Sequence, residues 1–143
     1  MVQKLTLTAC LVGSCVICLT LVLRAEATQP VSGEVFKPVA PVDGLMYGQM
    51  TFFKRIGSLL PQAKNPKSLH EIGEAAYALS ELANVNRFNR DKDDYRTWAA
   101  QLRDTCVELA KEADKEANAN PDQLKQIYER IKATCQSCHD VYQ

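Results

Sequence analysis

The chain has 143 residues, 17 basic and 17 acidic groups, 46% hydrophobic residues and six cysteines. The length suits one domain, and the balanced charge speaks against a strongly basic nucleic-acid binder. The cysteines fall into three groups (Cys10, Cys15 and Cys18; Cys106; Cys135 and Cys138), which is not the spacing of a disulfide framework.

The first group comes with its own context. Leu5 to Leu23 is a run of 19 residues with no charge, preceded by Lys4 and followed by Arg24-Ala25-Glu26-Ala27. A positive start, an apolar centre and an A-x-A ending describe a secretory signal over residues 1–27, cut after Ala27. Two alternatives stand beside it. The run is long enough to remain as a membrane anchor. Val12-Gly13-Ser14-Cys15 resembles a lipobox, although the apolar run continues past Cys15. All three readings place the rest of the chain outside the cytoplasm, periplasmic or exported. Membrane contact is then expected only through an uncleaved N-terminal segment. Removing residues 1–27 takes away Lys4, Arg24 and Glu26 and leaves 15 basic and 16 acidic groups, so the exported part stays near neutral.

Residues 28–42 hold Pro30, Pro38 and Pro41 and show no period of 2 or 3.6, which predicts an extended spacer. From residue 43 to residue 143 the pattern is helical. A first helix is expected from about Asp43 to Leu60, stopped by Pro61, with Leu45, Met46, Gln49, Met50, Phe53 and Ile56 on one face. A second is expected from Ser68 to about Asn86, opened by a capping box of Ser68 and Glu71. A third is expected from about Asp93 to Asn118, with Tyr95, Trp98, Leu102, Cys106 and Leu109 on its stripe. The fourth starts at Asn120 as N-cap with Pro121 in the first turn and carries Leu124, Ile127, Tyr128, Ile131, Cys135 and Cys138. No segment reads as a strand, and the joining segments are short. The fold class expected is all-α, an antiparallel four-helix bundle.

The chemistry lies in Cys135-Gln136-Ser137-Cys138-His139, a C-x-x-C-H sequence and the attachment pattern of a c-type haem. Helical steps of three and four return to one face. Cys135 and Cys138 can then form thioethers to two vinyl groups of one porphyrin edge, and His139 can supply the proximal iron ligand. A thioredoxin-like site is disfavoured because no βαβ context surrounds the motif. A zinc site would need a second ligand pair, and only His70 and Cys106 remain. The expected cofactor is one covalent haem c.

With this motif on the last helix, the ending Cys135-Gln136-Ser137-Cys138-His139-Asp140-Val141-Tyr142 is similar to the C-x-x-C-H-D-x-Y of the class II c-type cytochromes, the cytochrome c′ family. The resemblance covers about residues 42–143. It implies a distal residue on the first helix, a methionine in low-spin electron carriers and an apolar residue in five-coordinate members that bind NO or CO. Aligning Ile56-Gly57-Ser58-Leu59 with the end of the family's first helix puts Met46 at the distal position, with Met50, one turn on, as the fallback. Two features depart from the five-coordinate pattern. Gln143 stands where a basic residue usually follows the motif's tyrosine, and Val42 stands where an arginine usually precedes the distal residue.

The function expected is therefore a monohaem single-electron carrier and not an enzyme, with redox proteins as partners. The alternative is a five-coordinate cytochrome c′ with an open distal face. The family also offers a homodimer through its first two helices. Cys106 is expected in the core, His70 exposed, and Tyr95 and Trp98 as bundle packing.

Overall fold

The computed structural model describes residues 36–143. The signal or anchor read over residues 1–27, and all of the spacer before residue 36, lie outside the described residues.

The described residues form four helices, α1 (Val42–Leu59), α2 (Pro66–Asn86), α3 (Asp93–Ala113) and α4 (Pro121–Tyr142), with no strand among them. Short 3-10 turns, Leu60–Gln62 and Glu116–Asn118, follow α1 and α3. None of these helices is long and apolar enough to cross a membrane.

The ends of the helices show why they start and stop. Asn120 caps α4, its side chain accepting from the backbone N–H groups of Asp122 and Gln123, with Pro121 behind it. The same device opens α2. Asn65 accepts from the Lys67 N–H and Pro66 follows, so α2 begins two residues before the expected Ser68. Ser68 is buried within the helix, and the capping box does not form. An asparagine followed by proline is the stronger start, because it supplies a cap and removes an orphan donor together.

The expected third helix is five residues too long. It ends at Ala113, and Glu116 takes a left-handed backbone conformation with φ 50°. Glu112 holds this turn. Its carboxylate is 3% exposed and accepts from the Lys115 ammonium and the Asn120 backbone N–H. Burial opposes its ionisation, but these two donors outweigh burial and leave its pKa lowered.

Cross-helix contacts fix the topology. The end of α2 meets the start of α3 where the Tyr95 hydroxyl donates to Asn86 Oδ1 at 2.9 Å. The end of α4 meets the start of α3 where the Tyr142 hydroxyl donates to Asp94 at 2.6 Å. Gly48 near the start of α1 faces Leu82 near the end of α2. Each helix thus runs antiparallel to its chain neighbours.

One core unites all four helices, with Ile56, Leu59, Leu69, Ile72, Leu79, Leu109, Leu124, Ile127 and Ile131 among its members. Cys106 is also inside it, fully buried. The first and last helices meet through large side chains. Phe53 stacks on Tyr128 with centroids 4.5 Å apart and planes 9° off parallel. Gly57 makes room here, since a Cβ would meet the Tyr128 hydroxyl and the ring would have to shift.

Candidate functional site

Toward the C-terminal end of α4 the apolar core gives way to a cleft. Its two openings share Met46 and Gln49 from α1 and Cys135 and His139 from α4. The inner opening, about 30 Å³, adds Asn86, Tyr95, Trp98, Ala99, Leu102 and Cys138. The outer one, about 240 Å³, adds Met50, Phe53, Leu79, Lys132 and Gln143.

The helix geometry brings the C-x-x-C-H residues together. Cys135, Cys138 and His139 are all half-buried and border the inner opening. Neither cysteine is held in a disulfide among the described residues. Burial pushes the Cys135 thiol up to about 11, and the neighbouring Cys138 adds to the shift. Burial also raises Cys138, with the Arg90 guanidinium pulling the other way.

The two methionines differ in placement. Met46 is half-buried and lines both openings. Met50 is 45% exposed and lines only the outer one. Of the other sequence candidates, His70 lies away from the cleft, exposed and beside Glu74 at 3.3 Å. Cys106 is fully buried, which raises its thiol pKa. Among the described residues no three His, Cys, Asp or Glu groups converge as a cage for a bare metal ion.

The residues fit a haem in kind. The cleft has apolar walls in Phe53, Leu79, Ala99 and Leu102, two thiols and an imidazole on one face, and a thioether on the opposite helix. One observation inside the cleft points to an added group. The Gln49 amide nitrogen is buried and has no hydrogen-bond partner. A protein interior rarely leaves such a donor unmet. The openings are smaller than the roughly 300–1,000 Å³ common for ligand sites, so a porphyrin has to displace side chains lining the two helices.

A polar and aromatic brace behind the motif escaped the sequence reading. Tyr142 packs edge-on against Tyr95 at 5.3 Å and Trp98 at 6.1 Å. The Arg90 guanidinium lies 5.0 Å from the Tyr142 ring centroid and 5.7 Å from that of Tyr95. The bond to Asp94 pushes the Tyr142 hydroxyl up to about 12 and lowers the Asp94 carboxyl. Asn86 accepts from both the Tyr95 hydroxyl and the Asn89 amide. Apart from Tyr142 on α4, these groups come from α2, α3 and the loop between them, and each is unremarkable by its own spacing. The sequence offers Tyr95 and Trp98 as bundle packing and Tyr142 as part of the family-like ending, but not their link to Arg90, Asp94 and Asn86.

No family model matches the chain, and no curated protein or solved structure matches it.

Proposed function

We propose that the chain is an exported monohaem c-type cytochrome of class II, related to the cytochrome c′ family, that passes single electrons between redox proteins. The observation that carries this reading is the shared cleft: the C-x-x-C-H side chains of α4 open onto a slot whose far wall bears Met46 and a partnerless buried amide. When bound, the haem supplies the iron that gains and loses one electron.

The chain's own residues hold and orient it. Cys135 and Cys138 anchor one edge as thioethers. His139 and Met46 would supply the two iron ligands. A thioether is a soft ligand that favours the reduced iron and raises its potential. Phe53, Leu79, Ala99 and Leu102 would give the bound group apolar walls. The Tyr142–Asp94 bond and the Arg90 stack fix the last turn of α4, and with it the angle of His139. Met46 is favoured over Met50 because it is the less exposed and borders both openings.

The spectrum of the purified holoprotein tests the reading. The expected result is a low-spin reduced form that does not respond to CO. A high-spin form that shifts on adding CO would instead support an open, gas-binding distal face. Met46→Ala is expected to convert low spin to high spin and to admit CO. If only Met50→Ala does so, the distal ligand lies one turn further along α1.

A further inference from the structure

Gln49 has no part in the ligation described above, yet it is buried at the cleft. It lies three residues after Met46 on α1 and is 7% exposed. It lines both openings together with Met46, Cys135 and His139. Its oxygen is not among the unmet buried atoms, whereas its Nε2 is buried with no acceptor. A leucine at this place would leave no polar group to satisfy. An amide there is costly to bury unless something in the filled site accepts from it.

Helical side chains lean back toward the N-terminus of their helix. Gln49 therefore reaches over the turn that carries Met46. A thioether sulfur is a weak hydrogen-bond acceptor. It has two lone pairs, so coordination to a metal through one leaves the other free.

We propose that Gln49 donates an N–H···S hydrogen bond to the Met46 sulfur when Met46 ligates the haem iron. Gln49 is thus a positioning residue for the sixth ligand. The bond satisfies the buried amide and holds the sulfur in one orientation. It also resists the swing of Met46 toward the outer mouth of the cleft, where Met50 and Lys132 lie. This role rests on His139/Met46 ligation.

The test uses the ferric holoprotein and two variants, Gln49→Leu and Gln49→Ile. Both substituted side chains are apolar and equal in volume, but they differ in shape. Two readouts apply: the far-red iron–sulfur charge-transfer band, and the affinity for added imidazole, which competes with Met46. Loss of one neutral hydrogen bond corresponds to about a three- to tenfold gain in imidazole affinity, the same in both variants. The band should weaken or shift in both. A wild-type band with unchanged imidazole affinity in both variants overturns the role of Gln49 alone. A gain in only one variant means that shape is what matters and overturns it too. A wild type without the band overturns Met46 ligation, and the role of Gln49 with it.

Discussion

At one end of the bundle, Leu59, Leu69, Ile72, Leu109, Leu124 and Ile127 fill the interior with hydrocarbon. At the other end, the same four helices enclose Met46, Gln49, Asn86, Tyr95, Cys135 and His139. The buried polar side chains there include one with an unmet nitrogen. The first end has no evident need beyond the chain itself. The second has thiols, an imidazole and an amide facing a slot. Stability and function are thus separated along the helix axes, and substitutions at the two ends should have different signatures.

The largest effect belongs to the open end. Replacing both Cys135 and Cys138 with serine should abolish covalent haem attachment, read as loss of haem from the denatured chain by mass spectrometry. Retention of a covalent haem in that variant would sink the proposed attachment. At the closed end, Ile127→Ala should cost about 2–5 kcal/mol in denaturant unfolding, because it leaves a cavity in a fully buried site. The spectrum of the folded variant should stay that of the wild type. A shifted spectrum would show that the two ends are coupled.

A smaller effect concerns the brace. The Tyr142 hydroxyl has an ordinary pKa of 10.0 and is raised to about 12 by its bond to Asp94. Its folded-state pKa is the higher one, so the stability it contributes is fully present below pH 10 and is lost as pH rises toward 12. Asp94 behaves in the opposite sense, since its folded-state value is lowered. Its contribution holds above the ordinary carboxylate value of 3.8 and fades as pH falls below it. Tyr142→Phe should flatten both limbs of the stability–pH curve, measured by thermal midpoints. The smallest effect is expected at His70, which is exposed and far from the cleft. His70→Ala should change stability by no more than about 0.5 kcal/mol and leave the spectrum untouched.

Much of the fold was legible because it rests on strong local signals. The helical stripes, the Asn120-Pro121 start of α4 and the burial of Cys106 can all be read from spacing and residue type. The start of α2 was misread because Ser68 and Glu71 imitate a capping box, while the true device, Asn65-Pro66, stands just before them. The end of α3 was misread because Glu116 adopts positive φ without the glycine that usually announces it. The C-x-x-C-H residues were readable as one group, since three- and four-residue steps place them together. The brace of Arg90, Asp94, Asn86 and Tyr142 was not. It joins residues up to 52 positions apart, and no local pattern carries that information. Gln49 looked like an ordinary member of an apolar stripe, and only its missing partner sets it apart.

The Asn120-Pro121 cap also acts as a phase marker. It fixes where α4 begins, and every later residue advances by about 100° around the axis. His139 stands 18 residues after Pro121, which is about five full turns and brings it back to the same angular position. One residue inserted between the cap and Cys135 would leave the C-x-x-C-H motif itself intact. It would nonetheless rotate both thiols and the imidazole by about 100°, from the cleft toward solvent or a neighbouring helix. The length of this stretch of α4, as much as its residues, is therefore what aims the motif.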